Sequence, residues 1–192
     1  MLNPNYTIRP ARESDIPVLH VLIEASVRTL QANDYTPAQI EGALGTILVL
    51  DTQLIRDQTY FIAEVLEEPG SNNPKGLRGR KAAACGGWSK RKTLFGADNA
   101  SIREPDLLDP KVDAAKIRAI FVHPDHARKG LGSQIRAHVE AAAQAAGFRH
   151  YEMGSTLTGV PLYTLNGYRP IEEIAVPLKN GEALSVVKMV KP

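Results

Sequence analysis

The segment Lys116 to Glu140, KIRAIFVHPDHARKGLGSQIRAHVE, restricts the possible folds more than any other stretch. Lys116–Val122 is short, apolar and rich in β-formers, so it reads as a strand that Pro124 ends. After a basic turn, Leu131, Ile135, Val139 and Ala142 recur at helical spacing, predicting a helix over Gly130–Ala146 that Gly147 closes. The first N–H groups of a helix have no intrahelical acceptor and point outward with the dipole behind them. Gly130 and Gly132 leave that backbone bare, and Arg128 and Lys129 add positive charge beside it. An anion suits such a place, and a phosphate or pyrophosphate is the expected group. The same residues suit equally well an ordinary strand-to-helix turn with two solvated cations, because isolated glycine patterns are weakly specific. Neither G-x-x-x-x-G-K-[ST] nor G-x-G-x-x-G is present in the segment.

Strand and helix signals are mixed along the rest of the chain. Tyr6–Ala11 alternates as a first strand, and Ser14 or Asp15 can cap a helix carrying Val18, Leu19, Leu22, Ile23 and Leu30. Thr36-Pro37 opens a second helix with Ile40, Ala43 and Leu44. Gln58–Val65 is a second strand, and KAAACGGWSKRKTLF is a third, with Gly86-Gly87 marking a bulge or a close approach to the backbone. FRHYEMGS supplies a fifth strand, a short helix spans roughly 159–165, and two strands near 170–177 and 183–190 finish the chain. Polar, glycine- and proline-rich insertions are expected near 67–80 and 98–113. With 192 residues, 43% hydrophobic and 23% charged, and with no internal repeat, one α/β domain over 1–192 is the economical reading.

Several function classes recede at this level. No apolar run approaches the roughly 18 residues of a membrane span, and no secretory leader is visible at the N-terminus. Cys85 is the only cysteine, which suits a reducing cytosol, and a net charge of +2 is too small to argue for nucleic acid. The basic clusters KGLRGRK and SKRKT read as solvated charge. The five histidines form no H-x-E, HExxH or CxxC arrangement, so no metal is expected. A homodimer is the default oligomer.

The central segment resembles the acetyl-CoA-binding motif of the GNAT acyltransferase superfamily, a strand with V-x-P followed by [QR]-x-x-G-x-[GA] opening a helix. Here it reads Val122-His123-Pro124, then Ala127-Arg128-Lys129-Gly130-Leu131-Gly132, with Ala127 standing where Gln or Arg is usual. A second block, VPLYTLNGYRP, is similar to the family's F-Y-x-x-x-G-F, with Tyr163 at the tyrosine and Gly167-Tyr168 at the Gly-aromatic pair. The resemblance implies a GNAT-like fold: a mixed six- to seven-stranded sheet flanked by helices, whose fourth and fifth strands splay apart. Backbone groups of Phe121 and Val122 would then bind the pantetheine arm of acetyl-CoA. Residues 127–133, among them Arg128, Lys129, Gly130, Leu131, Gly132 and Ser133, would hold its pyrophosphate.

The implied activity is transfer of an acetyl group to a primary amine of a small molecule or peptide, by direct attack in a ternary complex. A non-catalytic CoA-binding regulatory module is the alternative. In this resemblance Tyr163 is the general acid and the Val122 N–H polarises the thioester carbonyl. The family's glutamate base falls on Lys116, so deprotonation through a water chain is expected, with Glu152, His123, Glu24, Asp34 and Asp51 as further candidates. Arg28, Asp34, Tyr35, Trp88 and Arg118 are the candidate acceptor-binding residues.

Overall fold

The architecture comes from a computed structural model, in which residues 6–66, 79–94 and 106–192 are described. The expected insertions lie largely outside those residues, as does most of the basic cluster at Lys75–Lys81. Among the described residues, seven strands form one mixed sheet: β1 (Tyr6–Pro10), β2 (Tyr60–Leu66), β3 (Arg80–Ser89), β4 (Ala115–Val122), β5 (Tyr151–Thr156), β6 (Arg169–Pro177) and β7 (Ala183–Lys191), in the spatial order β1-β2-β3-β4-β5-β7-β6. Helices α1 (Ile16–Leu30), α2 (Pro37–Ala43) and α3 (Thr52–Arg56) cover one face, and α4 (Leu131–Ala145) and α5 (Val160–Leu165) the other.

Because both faces are covered, the central strands lose simple alternation. In β2, Tyr60 and Ile62 enter the core under α1–α3, whereas Phe61 and Ala63 enter the core under α4. The caps obey local chemistry. Thr36 Oγ1 accepts from Gln39 N at 3.2 Å and the Gln39 side chain returns to Thr36 N at 2.9 Å, a reciprocal box that starts α2 behind Pro37. Asp15 does not cap α1 with its side chain, which instead binds Arg12 N and Arg9. Helix α3 had no counterpart in the sequence reading. Asp51 starts it by accepting from Gln53 N at 3.0 Å, in a run of five residues too short for periodicity to reveal.

Gly87 is required by close packing of β2 on β3. A Cβ placed there would lie 2.6 Å from the Thr59 carbonyl oxygen and 2.6 Å from the Tyr60 ring. Gly87→Ala is therefore expected to cost about 1–3 kcal/mol, read as a lower urea midpoint. An unaltered midpoint would mean that the two strands are not this close.

The bulge anticipated at Gly86-Gly87 is present, but its extra residue belongs to β4. Cys85 pairs Phe121 and Gly87 pairs Arg118, so Ala119 and Ile120 together oppose Gly86. Ala119 has φ 51°, a left-handed conformation uncommon for a residue with a side chain. The hydroxyl of Tyr60 donates to its carbonyl at 2.9 Å and holds it there.

Candidate active site

Strands β4 and β5 are parallel neighbours for only two residue pairs, Ala115 with Tyr151 and Lys116 with Glu152. Beyond Lys116 the two strands part, as the family resemblance implied. The gap holds a slot of about 60 Å³ bordered by the bulged stretch of β4, by Gly154 and Ser155 of β5, by Gln31 and by Tyr163. A second space of about 60 Å³ adjoins it through Arg118 and Ala119 and reaches Ile47, Leu48 and Leu94.

Tyr163 is set by the way α5 ends. Tyr168 N donates to Tyr163 O and Gly167 N to Thr164 O, both at 3.1 Å, which is the double hydrogen-bond pattern of a Schellman stop. That stop needs a left-handed residue, and Gly167 has φ 88°. The apolar contact that accompanies such a stop is here the edge-on packing of Tyr163 against Tyr168, with ring centroids 5.8 Å apart. Asn166 ties the same turn to α4, accepting from Arg136 Nη2 at 2.8 Å. Arg136 in turn is ion-paired with Glu140, which also receives Tyr168 Oη and Lys191 Nζ, each at 2.8 Å. Burial pushes the Tyr163 hydroxyl up to about 12, and the nearby Arg136 charge pulls the other way. The phenol therefore stays protonated through the neutral range.

The strand-to-helix turn is built as follows. His123 Nδ1 accepts from Asp125 N at 3.3 Å, a single 3-10 turn spans Pro124–His126, and α4 begins at Leu131 with no side-chain cap. Two left-handed residues shape the approach, Arg128 with φ 57° and Gly130 with φ 78°. Backbone strain at a non-glycine residue is typical of ligand-binding turns. Arg128 and Lys129 are exposed, and Lys129 Nζ donates to Asp125 O at 2.7 Å. Nothing lies within 4 Å of a Cβ built on Gly130. The turn is thus open to an anion, and it lies at the end of β4 where the slot opens.

The acid and base candidates are distributed unevenly. Lys116 Nζ is ion-paired with Glu152, and Lys188 Nζ approaches the same carboxylate at 3.6 Å. An ammonium so placed offers no lone pair to an amine. Arg118 lines the slot but is buried, donating to Asp51 Oδ2 at 3.1 Å and to Thr93 O at 3.0 Å, so its charge is matched within the protein. Arg28 lies on the outer surface, paired with Glu24 and Glu41. Asp34 is exposed and accepts from Thr158 Oγ1 at 2.6 Å. Tyr35 is a buckle: its hydroxyl donates to Ser185 O at 2.6 Å and accepts from Leu157 N at 2.8 Å. Trp88 is buried in the core edge-on to Phe148. Among the described residues, Arg118 is the member of that set that borders the slot.

The polar neighbours Gln31, Ser155 and Thr156 of the slot escaped the sequence reading. A single glutamine after a helix and a serine in a strand carry no local signal. The SKRKT cluster is compensated locally: Lys90 and Arg91 approach Asp57, and Lys92 approaches Asp106. Cys85 is buried, which pushes its thiol up to about 12 and leaves it inert as a nucleophile. Among the described residues, no three His, Cys, Asp or Glu side chains are grouped as a metal site, and no helix is long and apolar enough to cross a membrane.

Residues 95–170 match the family model of the acetyltransferase (GNAT) domain. No curated protein matches the sequence. Solved structures similar to this chain include a GCN5-related N-acetyltransferase from Rhodopseudomonas palustris, at 19% identity and a TM-score of 0.65, covering 100% of this chain and 98% of that one. The PaiA N-acetyltransferase from Thermoplasma acidophilum, solved with coenzyme A, is 12% identical with a TM-score of 0.60, covering 97% of this chain and 98% of its own. A GCN5-related N-acetyltransferase from Kribbella flavida is 13% identical with a TM-score of 0.57, and 98% of each chain is covered. The chain thus shares the fold of these N-acetyltransferases, and its residues 95–170 match the acetyltransferase (GNAT) domain model.

Proposed function

We propose that the protein transfers the acetyl group of acetyl-CoA to a primary amine of a small molecule or peptide, within a ternary complex. The observation that carries this reading is the position of Tyr163. Its phenol, protonated at neutral pH, borders the slot where β4 and β5 part, inside the segment that matches the acetyltransferase domain. Residues 127–133 fit a pyrophosphate, because the turn is cationic, uncapped and unobstructed at Gly130. Backbone groups of Phe121 and Val122, on the side of β4 that β5 has left, suit the amides of a pantetheine arm. The thioester would then reach the slot beside Tyr163.

The chemistry asks three things of the chain. A neutral amine must approach the carbonyl carbon, the carbonyl oxygen must be stabilised as charge develops, and the sulfur must leave. As the C–N bond forms and the C–S bond breaks, Tyr163 donates its proton or a hydrogen bond to the departing sulfur. Water carries away the proton lost by the amine, since Lys116 and Arg118 are both engaged in ion pairs. A backbone N–H of β4, that of Val122 in this reading, faces the carbonyl oxygen. The reading includes a cytosolic location, which the lone buried thiol of Cys85 suits.

The test is incubation with acetyl-CoA and a panel of amines, with thiol release followed for each. Amine-dependent release and an acetylated product are expected. Tight CoA binding without turnover on any amine would instead identify a regulatory CoA-binding module.

A further inference from the structure

We infer that Gln31 binds the acceptor amine, its side-chain oxygen receiving the N–H that stays on nitrogen during attack. This rests on the acetyltransferase reading above. Gln31 follows α1, is 94% buried by its 6% exposure, and borders the slot together with Tyr163. Its Oε1 is buried without a hydrogen-bond partner. Two other polar side chains around the slot are engaged within the protein. Arg118 is held by Asp51 and Thr93, and Ser155 Oγ donates to Thr156 O at 2.8 Å. A buried carboxamide oxygen left open is costly unless a donor arrives, so the donor it awaits belongs to a ligand.

The direction of approach identifies that ligand. Helix α1 packs on the face opposite α4 and α5, so Gln31 and Tyr163 reach the slot from opposite sides of the sheet. Helix α4, into which the basic turn leads, packs on the Tyr163 side, with Gly132 beside Leu162, and that is the side from which a CoA thioester would enter. Gln31 therefore meets what comes from the other side, the acceptor. A primary amine has two N–H bonds. One proton is lost to water as the C–N bond forms, and the other remains to hydrogen-bond Oε1. An alcohol has no second donor, so the site favours amines over hydroxyls. A neutral oxygen also binds a neutral amine without holding it in the protonated, unreactive form.

Steady-state kinetics on Gln31→Leu and Gln31→Glu decide the matter, with acetyl-CoA and four probes: an amino acid, a polyamine, an arylalkylamine and a peptide with a free α-amino group. For whichever amine the wild type acetylates, Gln31→Leu should raise its KM about tenfold, the worth of one hydrogen bond, and leave the acetyl-CoA KM unchanged. Its Tm should hold or rise, because an unpartnered polar group has been removed. Gln31→Glu should move the ascending limb of the rate–pH profile to higher pH, as a carboxylate stabilises the ammonium form. An unchanged amine KM in both variants overturns the inference, as does an acetyl-CoA KM that rises with it. Wild-type inactivity toward all four amines would overturn the acetyltransferase reading itself, and this inference with it.

Discussion

Tyr163→Phe is expected to lower kcat for acetyl transfer by about a hundredfold or more, the usual effect of removing a positioned proton donor. The KM values for acetyl-CoA and amine should change little, because the ring and its edge-on packing with Tyr168 are retained. The pH dependence gives a second readout. The tyrosine hydroxyl is raised to about 12, mainly by burial, so it is the protonated, active form at every pH where amines are studied. The rate should thus climb as the amine loses its proton and show no decline from Tyr163 until about pH 12. The Phe variant should keep the ascending limb at a lower level. A kcat unchanged in Tyr163→Phe would sink the assignment, whereas a wild-type decline near pH 8–9 that disappears in the variant would keep the proton donor and overturn only its raised titration. Loss of folding in the variant is not expected, because only one hydroxyl is removed.

Asp51→Ala should destabilise the protein by about 3–5 kcal/mol, the cost of leaving one member of a buried ion pair without the other. Both side chains are 4% exposed, with Arg118 Nη2 3.1 Å from Asp51 Oδ2. Part of the loss, about 1 kcal/mol, belongs to the cap of α3, which Asp51 also supplies. Asp51→Asn separates the two, since it can keep the cap while removing the charge. Replacing both partners by apolar residues, as in Asp51→Leu with Arg118→Met, should recover much of the stability, because neither charge is then buried. Urea denaturation of the set measures this. A loss below about 1 kcal/mol in Asp51→Ala would show that water reaches Arg118 and that the pair is not sequestered. Arg118 also forms a wall of the slot, so the stable double variant tests whether its polarity matters to the acceptor.

The short-range parts of this protein were readable from residues a few positions apart. Thr36-Pro37 starts a helix because a hydroxyl reaches the third N–H ahead and proline lacks an N–H to lose. Gly147 and Gly167 end helices because a left-handed residue is needed there. The apolar period of α4 selects its buried stripe, Leu131, Ile135 and Val139. Boundaries slipped where wrapping continued past the stop. The fifth strand begins at Tyr151 rather than Phe148, because Phe148 N still bonds back to Ala143 O at 3.2 Å. The bulge was readable as a glycine pair on β3, yet the displaced backbone is that of Ala119 across the ladder, which pairing alone assigns.

The slot itself belongs to long-range structure. Tyr163 could be singled out because its neighbours along the chain form a pattern. Gln31, Arg118 and Ser155 could not be placed there, since they come from one helix end and two strands that meet only in the fold. Arg118 illustrates the difference. As a residue in a strand it reads as a cation free to greet an acidic substrate, whereas its partner Asp51 lies 67 positions away and takes that charge out of play. Periodicity, caps and turn glycines act through bonds and sterics within one or two turns of chain, so they survive in the sequence. Ion pairing and an unanswered hydrogen-bond acceptor depend on which surfaces burial brings together, and only the packed sheet with its two helical layers decides that.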